Sequence, residues 1–217
     1  MKNVICFCLG LLFLVLSGPA FSQFSLSGHG SHLRLGENSG ITNFGGGARL
    51  EYSIDNQIIV IGGFNYYLPH NDEGSIYAYR TNSAMASSQV SVPTNRRIGF
   101  QQFYIGAKYY FFGDYEELFG IYGIAEAGYL MAPSRTSFGE YDSENFKPRK
   151  EDGFRENFSD LTINLGIGAE VDLLFAYLFG DVKANLPANQ RGNMIVQTEI
   201  PASLSFHVGL RFPLYYF

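Results

Sequence analysis

Side chains able to do chemistry fall into three groups in this chain. The first is histidine: His29 and His32 in Gly28-His29-Gly30-Ser31-His32, then His70 and His207. A serine becomes a nucleophile when a histidine sits within hydrogen-bond reach and is itself oriented. Ser31 only neighbours His29 and His32 along the chain, which does not make a spatial triad, and no nucleophile motif surrounds any histidine. The second group is a set of charges that recurs on one parity of alternating segments: Arg49, Glu51, Lys108, Glu126, Glu170, Asp181, Lys183, His207 and Arg211. The third lies between Ala132 and Asp160, where Arg135, Lys147, Arg149, Lys150 and Arg155 mingle with Glu140, Asp142, Glu144, Glu151, Asp152, Glu156 and Asp160. Bases there could bind phosphate groups and acids could bind divalent cations; a solvated loop would do neither. No catalytic, cofactor or metal site is predicted.

The elements that position these groups begin after an address. Lys2 supplies a positive start, Val4 to Leu16 an apolar stretch, and Ala20-Phe21-Ser22 a small-residue cleavage site. That is the pattern of a secretory signal peptide, and the apolar stretch is too short for a spanning helix. Residues 1–22 are therefore expected to be removed, leaving 23–217 as one domain. Both cysteines, Cys6 and Cys8, go with the signal. A disulfide framework, a thiol nucleophile and a cysteine-bound metal are thereby excluded from the mature chain.

What recurs afterwards is a period of two. Phe44 to Ile54, Ile58 to Leu68, Gln102 to Phe112, Phe119 to Met131, Leu161 to Val171, Leu174 to Leu186 and Ala202 to Leu214 each alternate apolar or small residues with polar ones. Such alternation is the signature of strands with two different faces. Phe24 to Leu35 makes an eighth, less regular strand. Phe24 and Leu26 share one parity and Leu33 and Leu35 the other, which predicts a bulge near Gly28 to Gly30. Links alternate in length. Asp55 to Gln57, Gly113 to Leu118 and Asp172-Leu173 are tight. Gly36 to Asn43, Pro69 to Arg97, Ala132 to Asp160 and Pro187 to Pro201 are longer and polar. Short turns at one end and long loops at the other describe an antiparallel up-and-down transmembrane β-barrel.

Only 16% of the 217 residues are charged, 46% are hydrophobic, and Gly (25), Tyr (15) and Phe (20) are plentiful. The net charge of −5 argues against a nucleic-acid-binding surface, which needs clustered bases. In the strands the charges keep to one parity, with His32 and Arg34 expected to join them, while the other parity is nearly free of charge. A soluble barrel would turn the charged face outward. If that face turns inward instead, acids and bases can pair in the barrel and the apolar face meets lipid. Gly45, Gly47, Gly106, Gly128, Gly166, Gly168 and Gly209 share the charged parity, where a narrow interior has little room. Arg49, Glu51, Lys108, Glu126, Glu170, Lys183 and Arg211, with His207 among them, are predicted to form a structural interior network. Tyrosines and phenylalanines bunch beside turns, as in Tyr109-Tyr110-Phe111-Phe112 and Tyr215-Tyr216-Phe217, where an amphipathic ring suits a membrane–water interface.

With segments such as FGGGARLEYSI, FYIGAKYYFFGD and LTINLGIGAEVD, and an aromatic terminus, the chain resembles the eight-stranded outer-membrane β-barrels of Gram-negative bacteria, the OmpA/OmpX-like porin-family barrels. The resemblance covers residues 23–217. It implies a bacterial outer-membrane location and a last strand read by the barrel-assembly machinery. His207, Gly209, Phe212 and Leu214 match that assembly signal, and Phe217 supplies the aromatic end; Tyr215-Tyr216-Phe217 and Pro213 depart from the usual pattern. No peptidoglycan-binding domain is expected to follow. The expected protein is a non-enzymatic monomer with a filled interior, acting in envelope integrity or surface interaction through its loops. Its partners would be the lipid bilayer, lipopolysaccharide and the assembly machinery, with no cofactor. A lipid A-modifying enzyme and a small-conductance pore are the alternatives.

Overall fold

The computed structural model describes residues 24–36, 42–81, 88–148, 157–188 and 202–214. The signal segment lies outside the described residues, as do Arg149, Lys150, Glu151, Asp152, Arg155, Glu156 and Phe217. Nine strands are described: β1 (Phe24–Leu35), β2 (Thr42–Ser53), β3 (Ile58–Arg80), β4 (Gln89–Phe112), β5 (Phe119–Phe138), β6 (Phe146–Pro148), β7 (Asn157–Asp172), β8 (Tyr177–Pro187) and β9 (Ser203–Pro213). Every pairing is antiparallel, in the order β2-β1-β9-β8-β7-β5-β4-β3, and β2 pairs with β3 to close the ring at eight strands. Closure leaves no open edge inside the bilayer, which is the condition for a sheet to cross it.

Local chemistry sets the tight turns at one end. Asp55 Oδ1 accepts from the Gln57 and Ile58 amides at 2.8 and 2.7 Å. Between β4 and β5, Gly113 takes φ +69°, and a Cβ there would fall on the Phe119 carbonyl oxygen. The third turn runs from Asp172 to Ala176 rather than ending at Leu173. Leu173 N donates to Ala176 O at 2.8 Å, and Asp172 Oδ1 accepts from Leu174 N at 2.6 Å. Leu174 is 94% exposed and sits at φ +77°, where a side chain costs about 1–2 kcal/mol. Leu174→Gly is therefore expected to stabilise the barrel by about 1 kcal/mol. The check is urea unfolding in detergent micelles, and an unchanged or lowered midpoint would contradict the strain.

At the other end the structure differs from the expected loops. Much of Pro69 to Arg97 is strand, because β3 and β4 stay paired from His70 and Ile98 out to Tyr79 and Gln89. β5 likewise continues to Phe138, and β6 adds to β3 at Ala78 to Arg80. A bulge between Tyr67 and His70 shifts the register and moves β3's inward parity from odd to even positions. Ile76 and Ala78 consequently share a face with Val90 and Val92 and pack with Phe146 and Tyr141 as a small core above the ring. In the β5–β6 link Asp142 is solvated. The Asn145 side-chain amide, with the Asn145 and Glu144 backbone N–H groups, holds its carboxyl below the usual carboxylate range.

The bulge expected near Gly28 to Gly30 does not occur. β1 holds an unbroken register with β2 and with β9. Ser25, Ser27, His29, Ser31, Leu33 and Leu35 all point inward, and Arg34 is exposed outside. His32 also faces outward, 4.8 Å from the Phe44 ring. The change of parity in hydrophobicity is a change in what fills the barrel, because Leu33 and Leu35 join Tyr67, Ile98, Phe100, Leu130 and Ala132 in an apolar cluster at the loop end.

Candidate functional site

The exterior and interior are inverted relative to a water-soluble protein. Outside, Ile105 and Ile167 are each 64% exposed, among a continuous set including Leu26, Leu50, Phe103, Leu161, Leu165, Val182, Phe206 and Val208. Left in water, such side chains would each forgo roughly 1.5–3 kcal/mol. Inside, four bases and four acids are almost completely buried: Arg49, Lys108, Lys183 and Arg211 with Glu51, Glu126, Glu170 and Asp181. Their formal charges cancel.

Strand register brings these groups together. On β2, Arg49 and Glu51 point inward two residues apart, with Arg49 Nε 2.8 Å from Glu51 Oε1. Arg49 Nη1 then reaches across the lumen to Asp181 Oδ2 on β8 at 2.8 Å. Lys108 Nζ on β4 donates to both Glu51 oxygens at 2.9 Å, and Ser27 Oγ donates to Oε1 at 2.9 Å. Tyr122 OH donates to Asp181 Oδ1 at 2.5 Å. A neighbouring pair joins Lys183 Nζ to Glu126 Oε1 at 2.6 Å, while Asn164 Nδ2 donates to Oε2 at 3.1 Å. Towards the turns, Arg211 is bidentate to Glu170, with Nη2 to Oε1 at 2.6 Å and Nε to Oε2 at 3.3 Å. Its Nη2 also donates to the Tyr115 carbonyl at 2.6 Å. The guanidinium lies between the Tyr115 and Tyr177 rings, 3.9 and 3.8 Å from their centroids. Paired charges of this kind offset a desolvation cost that an isolated one could not.

Seven of the candidate network residues meet in these contacts. His207 stands apart. It is buried, its ring nitrogens find no hydrogen-bond partner among the described residues, and it lies edge-on to His29 at 4.9 Å between centroids. The Nε2 atom of His29 pairs with Asn65 Oδ1 at 2.8 Å, so among the described residues the histidines form no pair with a serine hydroxyl. Six participants lie outside the network expected from sequence: Ser27, Tyr115, Tyr122, Asn164, Tyr177 and Asp181. Asp181 has the charged parity and its strand was visible. Tyr115 lies in what reads as an acidic turn, and Tyr122 gives no signal beyond its position on the polar face. Of the assembly-signal residues, His207 and Gly209 face the interior and Phe212 faces out. Leu214 N donates to Phe24 O at 2.8 Å.

The middle of the barrel is thus filled by ion pairs, and both ends of that layer are closed by apolar and aromatic side chains. The loop end holds the cluster around Leu33 and Phe100; the turn end holds Ile59, Ile61, Tyr110, Tyr115, Tyr122 and Ile124. A closed antiparallel ring with a paired ionic interior and an apolar exterior is an eight-stranded transmembrane β-barrel of the outer-membrane type, and an outer membrane is where such a surface is at home.

The chain is similar to several solved structures. Neisserial surface protein A, NspA, matches at TM-score 0.54 and 12% identity, over 88% of this chain and 96% of that one. Ail, the attachment invasion locus protein of Yersinia pestis, matches at TM-score 0.48 and 14% identity, over 88% and 98%. The outer membrane protein OprG of Pseudomonas aeruginosa matches at TM-score 0.48 and 14% identity, over 88% and 94%. No protein-family model and no curated protein sequence matches the chain.

Proposed function

We propose that the protein is a non-enzymatic outer-membrane barrel that acts above the membrane, in surface interaction. The observation that carries this reading is the contrast between a filled lumen and a long external sheet. The ionic layer and its apolar ends leave little path for solute. Beyond the bulge, β3 runs eleven further residues, His70 to Arg80, about 35 Å of strand at the usual rise. Among the described residues, the edge of β3 away from β4 is covered only by β6, at Ala78 to Arg80, which leaves main-chain groups of the Asn71 to Tyr77 stretch to accept another extended segment. In the same reading residues 1–22 are cleaved on export, the segment from His207 to Leu214 with Phe217 beyond it is read by the barrel-assembly machinery, and the barrel works as a monomer in the bilayer without a cofactor.

The test replaces residues 71–96 by a short turn and compares this variant with the intact chain in a strain lacking the gene. Both should run as heat-modifiable barrels in the outer-membrane fraction, with the mature chain starting at Gln23. Retention of cells on surfaces coated with whole bacteria or with extracellular-matrix protein should fall to the level of the deletion strain for the variant alone. Full retention by the variant would overturn the reading. So would a lipid A mass spectrum that changes with the gene, or a large steady conductance in planar bilayers.

A further inference from the structure

We propose that the outer face of β3, β4 and β5, just above the apolar belt, seats the phosphate of a lipid A headgroup from the outer leaflet. The proposal rests on the reading that this end of the barrel faces outward from an outer membrane. Arg97 and Arg135 are direct cross-strand partners on β4 and β5, and Asn71 on β3 continues the same row. Both arginines are exposed, and no ion pair to either occurs among the described residues. Like charges directly opposite each other on a sheet repel, so this position is unfavourable unless an anion bridges it. Guanidinium groups are suited to that role because their planar fork matches phosphate oxygens.

The surroundings specify where the anion comes from. Immediately below the two arginines is a recess of about 580 Å³. Gly99 forms its floor, Pro69 and Pro133 face each other across it, and Tyr66 and Gln101 form its lower rim. A Cβ at Gly99 would stand 3.7 and 3.9 Å from the two proline rings, ordinary contact, so both rings flank this glycine in the wall of the recess. Pro69 belongs to the bulge between Tyr67 and His70, so the same irregularity that re-aims β3 builds this wall. Below the rim the face becomes lipid-facing, with Phe64 against Phe103 at 4.8 Å and Ile105 beyond. A ligand held here has its charge at the arginines and its apolar part along the belt. A phosphorylated glycolipid has that shape; a free phosphate uses only the upper half.

The experiment uses the mature barrel in detergent micelles and hexa-acyl bis-phosphorylated lipid A, with binding read by native mass spectrometry and by titration. R97Q/R135Q is expected to weaken lipid A binding at least tenfold, while R34Q, an exposed outward cation on β1, leaves it unchanged. Dephosphorylated lipid A should bind the intact barrel as weakly as phosphorylated lipid A binds the double variant. Without lipid, the double variant should unfold at the same or a higher urea concentration, since a repulsion has been removed. Unchanged lipid A affinity in the double variant would overturn the proposal, as would equal binding of the dephosphorylated lipid. Inorganic phosphate binding at the arginines as tightly as lipid A would overturn it in favour of a soluble-anion site. If the location itself were wrong, the heat-modifiable band would be missing from the outer-membrane fraction, a result separate from all of these.

Discussion

Arg211→Met is expected to destabilise the barrel by about 3–5 kcal/mol, the usual cost of removing one member of a buried ion pair. Arg211 has several partners to lose. Glu170 would keep its burial without its bidentate cation, the Tyr115 carbonyl would lose a donor at 2.6 Å, and the Tyr115 and Tyr177 rings would lose the guanidinium between them. The measurement is urea unfolding of barrel refolded into detergent or lipid vesicles, followed by the heat-modifiable gel shift. Refolding in vitro matters because β9 also carries the residues assigned to assembly. Adding Glu170→Met should recover most of the loss, since a paired apolar replacement leaves no orphaned charge. Arg34→Met, on the exposed outer face, should stay within about 0.5 kcal/mol. Equal effects at Arg34 and Arg211 would contradict the placement of the network.

The second large effect concerns glycine and has a built-in contrast. Gly106 faces the interior of β4, and a Cβ there would fall on the Ala125 carbonyl oxygen and the Glu126 Cα of the neighbouring strand. Gly45, Gly166 and Gly209 meet adjacent backbone in the same way. At Gly123, on the outer face of β5, a Cβ would meet nothing within 4 Å. Gly106→Ala should therefore cost about 1–3 kcal/mol, because a strand rather than a flexible side chain must move. Gly123→Ala should be neutral or stabilising by up to about 1 kcal/mol, through the unfolded chain. Parallel urea titrations compare the two, and a reversed order would show that inner-face crowding does not set the need for glycine.

Much of this architecture is legible in the residues because the two faces of the strands answer to different solvents. Leu161 to Val171 and Gln102 to Phe112 alternate cleanly, and the structure places their apolar members outside. The rule behind that reading, that the inner face is polar, fails at the ends of the lumen. Leu33 and Leu35 point inward like Ser27 and His29, so the lipid-facing parity that their hydrophobicity suggests does not hold, and with it fall the expected bulge and the inward placement of His32 and Arg34. The extensions of β3 and β4 look like loop in sequence for a related reason. Above the ring the buried face is short, confined to Ile76, Ala78, Val90 and Val92, so Pro93-Thr94-Asn95-Arg96-Arg97 has no apolar alternation to display. The pairing of particular acids with particular bases depends on register across the lumen. Arg49 on β2 finds Asp181 on β8, 132 residues away, and nothing local to either residue announces it.

The apolar clusters at the two ends of the lumen also decide how the protein answers to the medium. Mobile ions screen charges that they can approach, with a Debye length of about 8 Å at physiological ionic strength. Leu33, Leu35, Phe100 and Leu130 at one end, and Ile59, Ile61 and Tyr110 at the other, keep those ions from the paired layer. The internal pairs are therefore insulated from ionic strength, while Arg97 and Arg135 on the outer rim remain fully subject to it. One chain thus carries two electrostatic systems, one sealed against changes in salinity and one responsive to them.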